Sequence, residues 1–292
     1  MTAKVRGEVT AAVDVVEAME MLAFAERTVG AAVVVADRSW PHRVSTVLEL
    51  EDRHGNRWIS KRCRLTEHFE QELMAYREWV GGLGGLVPTM VAHDSPSRTL
   101  LLTREPGEIT ASVDPLVHRQ AGVLIRQFHA AAPPQPASDF AERMRDRLEQ
   151  GLGRSDYRFD RADLDFVRGQ VATLAGLPAP MLVPTHQDNQ PRNWLVDGQR
   201  TVRLIDFGLS RWDVWAKDVL RLYAWEWQSH PELEEAFLDG YGRNFQGDDY
   251  QLLRAMGALT ALMTVVWAHA HGDDAFAQRG WRALEVARAG RH

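Results

Sequence analysis

The sequence predicts an α+β fold in two lobes, a small β-sheet with a packed helix followed by a mainly helical region. Apolar, β-rich runs separated by short polar turns predict the sheet in the first third of the chain. These strands are expected at residues 32–36, 44–50, 58–63, 87–93 and 99–103, after a helix over residues 10–29. Farther along, apolar residues recur mostly with helical spacing. The length of 292 residues also fits two lobes better than one compact unit.

Glu105, Pro106 and Gly107 interrupt the strand pattern and mark the boundary between the lobes. The first predicted lobe therefore covers residues 1–104, and the second covers residues 105–292. Shortly after this break, Asp114 and Pro115 are typical of a helix start, with an N-cap followed by a proline at the first helical position.

A lysine on the third strand and a glutamate on the next helix form a candidate ion pair. The helix is predicted to start at a Thr66 cap and to run to about residue 80, because apolar residues recur on one of its faces. Glu72 lies beside this apolar stripe, so it is the better candidate partner for Lys61. Arg62 points to the opposite face of the strand. The alternative is that Lys61 and Glu72 are ordinary solvated side chains.

Asp188, Asn193 and Asp206, in the runs THQDNQPRNWLVD and VRLIDFGLS, are the strongest candidates for functional residues. Two apolar runs around a polar turn at residues 197–199 predict a hairpin that brings Asn193 and Asp206 close together. A phosphoryl-transfer site needs a carboxylate that orients or deprotonates the attacking hydroxyl, and oxygen ligands that hold Mg²⁺ on the phosphates. The pattern predicts such a site, and the alternative is a polar turn followed by a strand end.

The order of Lys61, Glu72, TLLLTREPG, HQDNQPRN and IDFG resembles the aminoglycoside phosphotransferase and choline kinase superfamily of small-molecule kinases. The resemblance extends from about residue 33 to the C-terminal helices. It implies a two-lobed, protein-kinase-like fold with ATP in the cleft and magnesium as the metal. It also implies phosphoryl transfer to a hydroxyl group of a small molecule.

The same resemblance implies roles for individual residues. Lys61 contacts the nucleotide phosphates, Glu72 orients Lys61, and Asp188 is the catalytic base. The remaining implied site residues are the magnesium ligands Asn193 and Asp206 and the adenine-binding hinge formed by Thr103, Arg104 and Glu105. His186 is interpreted separately, as a histidine that is hydrogen-bonded to nearby backbone and braces the loop.

Two departures and one further match accompany the resemblance. Gln187 stands where the family usually has glycine, and the stretch ADRSWPHRVST, expected to cover the phosphates, contains no glycine. Arg43 and backbone N–H groups of residues 39–43 are candidates for phosphate contacts, and the alternative is an ordinary polar hairpin loop. Asp218 resembles an acidic position that braces the catalytic loop in the family, and the alternative is a solvated helical aspartate.

Composition narrows the classes of partner. The net charge of −6 argues against nucleic acid. The longest apolar stretch, residues 258–270, is too short to span a membrane and predicts a buried helix. A single cysteine, Cys63, excludes an internal disulfide and is compatible with a reducing compartment. Without a visible signal peptide, these features predict a cytoplasmic enzyme with a small-molecule partner, and they make no prediction of its oligomeric state.

The acceptor is predicted to be an antibiotic, either aminoglycoside-like or a nucleoside. An acidic run supports a polycationic substrate by charge attraction, although such a run is more often a solvated helix face. It comprises Glu226, Glu232, Glu234, Glu235, Asp239, Asp248 and Asp249. The alternatives are a metabolic kinase for choline, a sugar or homoserine, and an inactive nucleotide-binding module. A protein kinase is disfavoured because the chain has no GxGxxG loop, no Ala-Pro-Glu motif and little room for an activation segment.

Overall fold

The computed structural model describes residues 14–40, 44–109 and 113–290. The helices are α1 (Val15–Val29), α2 (Thr66–Glu78), α3 (Pro115–His129), α4 (Phe140–Gly153), α5 (Arg161–Thr173), α6 (Leu220–Ala224), α7 (Glu226–Ser229), α8 (Pro231–Tyr241), α9 (Gly247–Ala270) and α10 (Asp274–Ala289). The strands are β1 (Ala32–Asp37), β2 (Ser45–Asp52), β3 (Arg57–Cys63), β4 (Met90–Asp94), β5 (Thr99–Thr103), β6 (Glu108–Ile109), β7 (Gln135–Pro136), β8 (Met181–Thr185), β9 (Trp194–Val196), β10 (Val202–Leu204) and β11 (Arg211–Val214).

The chain packs as two compact units. The first consists of Met1–Thr110 and Pro191–Arg211, and the second consists of Ala111–Gln190 and Trp212–His292. The predicted lobe boundary between residues 104 and 105 stays a prediction. In the packing, residues 105–109 and the segment that carries Asn193 and Asp206 belong with the first unit.

A five-stranded antiparallel sheet in the order β1-β2-β3-β5-β4 forms the centre of the first unit. Successive side chains of a strand point to opposite faces, and β5 follows this rule. Leu101 packs in one cluster with Met21 and Phe24 of α1, whereas Leu100 and Leu102 pack in another with residues of α2. The two helices therefore use different side chains of the same strand.

The predicted hairpin between β2 and β3 is confirmed. The Asp52 carboxylate accepts hydrogen bonds from the backbone N–H groups of His54 and Asn56, at 2.8 Å and 3.0 Å, and so stabilises the turn. Hydrogen bonding to its charged form, mainly from Asn56, lowers the pKa of Asp52 to about 2.

Two predicted helix starts have different outcomes, and a third lies partly outside the described residues. Asp114 caps α3 through the N–H of Leu116, as predicted. The predicted Thr66 cap of α2 is wrong: Thr66 is the first helical residue, and Leu65 occupies the cap position without a side-chain hydrogen bond. The helix predicted from residue 10 begins at Val15, after an Asp14 cap, and residues 10–13 lie outside the described part.

A three-stranded sheet in the order β10-β9-β6 completes the first unit. The predicted hairpin is confirmed: Trp194, Leu195 and Val196 pair with Leu204, Arg203 and Val202. Gly107 has φ +110°, and a Cβ there would lie 2.8 Å from the Val196 backbone carbon. A glycine is therefore required where the chain passes over β9.

The second unit is mainly helical, with a small sheet in the order β11-β8-β7. Helices α3 and α8 pack very closely, because a Cβ on Gly240 would lie 1.9 Å from the Arg119 carbonyl oxygen. The apolar stretch at residues 258–270 lies within α9, which packs against α5 and α10. Within the described part of the chain, α9 is the one helix long and apolar enough to cross a membrane, and 56% of its apolar window is buried inside the protein.

Candidate active site

Lys61 lies between two carboxylates in the first unit. Its Nζ is 2.7 Å from Glu72 Oε2 and 2.7 Å from Asp206 Oδ1. The Glu72 side chain is 0% exposed, whereas that of Asp206 is 42% exposed. One carboxylate is thus wholly internal, and the other faces solvent, where a ligand can approach it.

The local structure explains this pairing. Lys61 projects from β3 toward α2, whereas its neighbour Arg62 bonds to Glu20 and Thr99. Burial opposes a charge on the Lys61 ammonium, but Asp206 and Glu72 outweigh it and raise the pKa of Lys61 well above its usual value. The predicted pairing of Lys61 with Glu72 is confirmed. Both side chains are buried, so the alternative of two solvated side chains is wrong.

Asp206 is held in an uncommon backbone conformation. Its φ is +67°, in the left-handed region that few residues other than glycine adopt, although aspartate and asparagine tolerate it. The next residue, Phe207, is buried and packs edge-on against Tyr76 at 5.5 Å. A fixed aromatic side chain directly after Asp206 holds the strained turn in place.

Asn193 lies at the start of the same hairpin. Its side chain is buried. Its backbone carbonyl oxygen accepts the backbone N–H of Ile205 at 3.0 Å. Since Ile205 precedes Asp206, the hairpin places the two predicted magnesium ligands at neighbouring ends of its strands. A carboxylate and an amide supply hard oxygen donors, the type that Mg²⁺ prefers. In the described residues, no group of three or more His, Cys, Asp or Glu is arranged to hold a metal, so phosphate and water oxygens would complete the coordination.

The predicted hinge residues lie at the end of β5 and just beyond it. Thr103 Oγ1 donates to Glu105 Oε1 at 2.7 Å, Arg104 bonds to Glu108 at 2.8 Å, and Glu105 lies 3.7 Å from Arg203. These side chains are engaged with each other and with neighbours. The backbone N–H groups of Thr103 and Arg104 donate to the carbonyl oxygens of Thr89 and Arg57, at 2.9 Å and 3.2 Å.

The connection between β1 and β2 is the segment expected to cover the phosphates. Ser39 Oγ accepts the N–H of Val47 at 2.9 Å, and the N–H of Ser39 donates to Asp37. Ser39 therefore stabilises the hairpin in the structure. Arg43, the other candidate for phosphate contacts, lies outside the described residues.

Asp188 belongs to the second unit, where it is buried. Its Oδ1 lies 3.2 Å from the guanidinium of Arg221 and also accepts a hydrogen bond from Gln190. The ring of His186, itself buried, accepts the N–H of Asp188 at 3.3 Å. His186 thus makes the backbone contact that its predicted bracing role requires.

Asp218 holds the loop that carries Asp188. Its carboxylate accepts the N–H of His186 at 2.7 Å and that of Gln187 at 2.6 Å. His129 contacts the same carboxylate at 2.9 Å, and Tyr241 contacts the other nitrogen of His129 at 2.8 Å. Asp218 is buried, so the solvated alternative is wrong. Sequence reasoning missed His129 and Tyr241, because both lie far along the chain from the loop.

Gln187 has φ +67°. Its position is the one where the resemblance expects glycine, and the left-handed backbone gives the physical reason. The Gln187 side chain donates to Thr185 Oγ1 at 2.7 Å and to Asp213 at 3.2 Å. These hydrogen bonds offset part of the backbone strain.

A small antiparallel sheet with a buried lysine–glutamate pair, and a mainly helical unit with a braced aspartate loop, define a kinase-like phosphotransferase. Residues 42–256 match the phosphotransferase enzyme family, APH. Because this match covers well over half of the chain, the protein belongs to that family. The predicted superfamily, fold class and enzyme class, a phosphotransferase with an alcohol acceptor, are thereby confirmed.

Solved structures share this fold at low sequence identity. A thermostable mutant of aminoglycoside phosphotransferase APH(4)-Ia, in complex with ADP and hygromycin B, is 15% identical with a TM-score of 0.70, covering 93% of this chain and 99% of that chain. Macrolide 2'-phosphotransferase MphH from Brachybacterium faecium is 17% identical with a TM-score of 0.61, covering 91% and 97%. The GDP and kanamycin complex of APH(2'')-IIia is 14% identical with a TM-score of 0.66, covering 94% and 98%. No curated protein sequence matches the chain.

Proposed function

We propose that the protein is an ATP- and Mg²⁺-dependent O-phosphotransferase that phosphorylates a hydroxyl group of a small molecule. The observation that carries this proposal is the position of Lys61 Nζ, bonded to both Glu72 and Asp206. Such a pair orients a cation toward nucleotide phosphates in kinases. The nucleotide and antibiotic complexes of the structural relatives also support it.

Lys61, Asn193 and Asp206 hold the nucleotide in this proposal. The Lys61 ammonium contacts phosphate oxygens, and the buried Glu72 keeps it extended from β3. Asp206 and Asn193 supply ligand oxygens for Mg²⁺, which when bound neutralises charge on the phosphates. The backbone of Thr103, Arg104 and Glu105 receives the adenine.

Asp188 acts as the base. Its carboxylate accepts the proton of the acceptor hydroxyl while the hydroxyl oxygen forms a bond to the γ-phosphorus. The bond from that phosphorus to the bridging oxygen breaks, and ADP leaves with the electron pair. The backbone contacts of Asp218 and His186 hold the loop of Asp188 in one conformation, which orients the carboxylate toward the hydroxyl.

An antibiotic is the proposed acceptor, and a metabolic alcohol such as choline, a sugar or homoserine is the alternative. The third reading, an inactive module, is disfavoured because Lys61, Asp188, Asn193 and Asp206 are all present. We place the enzyme in the cytoplasm, with a small molecule as its partner and with neither nucleic acid nor a membrane as a partner.

The test is to incubate the protein with Mg²⁺-ATP and a panel of aminoglycosides, nucleoside antibiotics, choline and sugars. Mass spectrometry should detect a product that has gained one phosphoryl group. Asp188→Asn, which keeps the shape of the side chain, should lower kcat by about 10²- to 10⁴-fold, the usual contribution of a general base. Its affinity for ATP should be unchanged.

Two outcomes would contradict the proposal. Undiminished turnover in Asp188→Asn would remove the base assignment, because an amide cannot accept the proton. Failure of the wild-type protein to bind Mg²⁺-ATP would remove the nucleotide assignment and favour a different role for Lys61, Glu72 and Asp206.

A further inference from the structure

We infer that the acceptor enters a cavity between α6, α9 and α10, and that it is an uncharged, largely apolar hydroxyl compound, not a polycationic aminoglycoside. This inference rests on the proposed function and names the substrate class of the same site. The cavity measures about 320 Å³ and lies wholly within the second unit. Its size is at the lower end of the range for pockets that bury a drug-sized ligand.

The cavity is adjacent to the proposed base. Arg221 of α6 lines it, and the Arg221 guanidinium lies 3.2 Å from Asp188 Oδ1. A molecule in the cavity therefore approaches the side chain that bonds directly to Asp188. This connection through Arg221 is the observation that assigns the acceptor to this cavity.

Small residues leave the space open. A Cβ on Gly257 of α9 would meet only Leu220 Cδ2, at 3.9 Å. Ala261 of α9 and Ala283 of α10 also line the cavity. The apolar lining includes the larger side chains of Leu253, Phe276 and Val286, so most of the interior offers no hydrogen bond to a ligand.

The charges around the cavity select against a polycation. The charged lining residues are Arg221 and Arg254, and no Asp or Glu is among them. Arg254 donates to the carbonyl oxygens of Ala287 and Arg288 at the end of α10, at 2.9 Å and 3.1 Å. An aminoglycoside would meet two guanidinium groups and no carboxylate in the lining itself, because Asp188 is not among the lining residues and is paired with Arg221. This is unfavourable for a desolvated amine.

The acidic run that the sequence suggested for a cationic substrate lies outside this cavity. None of its seven residues is in the lining. Asp239 pairs with Arg119 at 2.8 Å, Asp249 pairs with Arg243 and caps α9, and Glu232 is exposed. These three carboxylates stabilise helices or face solvent, in line with the ordinary reading of an acidic run. Glu226 is half-buried, and burial raises the pKa of its carboxyl, which disfavours its charged form.

Trp225 supplies one polar contact. It lines the cavity, and its indole N–H is buried with no hydrogen-bond partner among the residues that the structure describes. A buried donor without an acceptor is unfavourable, and an oxygen on the ligand would satisfy it. The acceptor therefore carries an oxygen in addition to its apolar body.

The test uses N-phenyl-1-naphthylamine, an uncharged apolar fluorophore, with Gly257→Leu as the variant that fills the cavity. The probe should bind the wild-type protein saturably, and the variant should weaken binding by at least about tenfold. Gly169→Leu is the matched control, because Gly169 lies on the exposed surface of α5 with nothing within 4 Å of an added Cβ. Ala283→Leu fills the same cavity from α10 and serves as a second variant if Gly257→Leu folds poorly.

The outcomes separate the two proposals. Absence of saturable probe binding, equal binding by both cavity-filling variants, or displacement of the probe by kanamycin would each overturn the inference. Binding of a fluorescent ATP analogue with Mg²⁺ is measured in the same samples and should be the same in all variants. Probe binding without nucleotide binding would contradict the proposed function alone, and nucleotide binding without probe binding would contradict the acceptor class alone.

Discussion

Lys61 and Glu72 form an ion pair that is almost fully removed from water. Such pairs often stabilise a protein less than apolar residues of similar size, since both charges lose their hydration. The pair is better explained by the positioning of Lys61 than by a gain in protein stability, because Glu72 holds the Lys61 ammonium 2.7 Å from Asp206. This explanation predicts what happens when one partner or both are removed.

Lys61→Met should lower the free energy of unfolding by about 3 to 5 kcal/mol, since Glu72 would be left buried without a counter-charge. The double variant Lys61→Met with Glu72→Leu should recover most of this loss, because no buried charge remains. Urea unfolding of the wild-type protein, both single variants and the double variant measures the coupling. Strictly additive losses would show that the two side chains do not depend on each other.

Cys63 predicts a pH dependence of stability. Burial, aided by Glu72 and Asp206 and opposed by Lys61, raises the pKa of its thiol from 9.0 to about 12. The folded state therefore keeps a proton that the unfolded state loses above pH 9. The contribution of the thiol to stability is fully present below pH 9 and is lost as the pH rises toward 12, by up to about 1.4 kcal/mol per pH unit.

Urea unfolding between about pH 8 and pH 10.5 would measure this effect. Cys63→Ala is the comparison, because it removes the thiol and leaves every other titrating group in place. The stability of the wild-type protein should fall more steeply above pH 9 than that of the variant. Parallel curves would show that the thiol titrates alike in both states.

At the scale of elements, the loop between β8 and the β9 hairpin depends on the left-handed backbone of Gln187. Gln187→Gly and Gln187→Val lose the same two side-chain hydrogen bonds, so their difference isolates the backbone. The valine variant should be less stable than the glycine variant by about 1 to 2 kcal/mol, the usual penalty for a side chain in this conformation. Equal stability by urea unfolding would indicate that the loop relaxes to another conformation.

Local patterns predicted most of the first unit. The apolar spacing of α2 placed Glu72 toward Lys61, and the apolar runs around residues 197–199 predicted the hairpin of Asn193 and Asp206. Such patterns reflect one helix face or one pair of strands, which short sequence windows contain. The start of α2 was less accurate, because a threonine suits both the cap and the first turn.

Contacts between distant segments could not be predicted in this way. His129 and Asp218 are 89 residues apart, and His129 and Tyr241 are 112 residues apart. Their hydrogen bonds depend on how α3, α8 and the connection between β11 and α6 pack together, which leaves no periodic signal near any of the three residues. The cavity beside α6 is likewise formed by three helices, so no short stretch of sequence could predict it. The sequence offered only the acidic run, which suggested a cationic acceptor, whereas the charged residues of the cavity lining are arginines.

For the whole molecule, the proposed residues are divided between two compact units. Lys61, Glu72, Asn193 and Asp206 belong to the first unit, and Asp188 belongs to the second. Nucleotide binding and proton transfer are therefore proposed for different units, and one of the three crossings of the chain between the units, from Gln190 to Pro191, separates Asp188 from Asn193. Variants that impair nucleotide binding and variants that impair proton transfer should consequently differ in how far nucleotide stabilises them.

Mg²⁺-ATP should raise the thermal unfolding temperature of the wild-type protein and of Asp188→Asn, but not of Asp206→Asn. A ligand at a hundredfold excess over its Kd stabilises the folded state by about 2.7 kcal/mol, which is a shift of several degrees. Asparagine tolerates the left-handed backbone at position 206, so Asp206→Asn removes the charge without adding strain. Differential scanning fluorimetry with ATP and Mg²⁺, or with ATP and EDTA, measures the shift. An equal shift in EDTA, or in Asp206→Asn, would exclude Asp206 as a metal ligand. Loss of the shift in Asp188→Asn would place Asp188 in nucleotide binding instead of proton transfer.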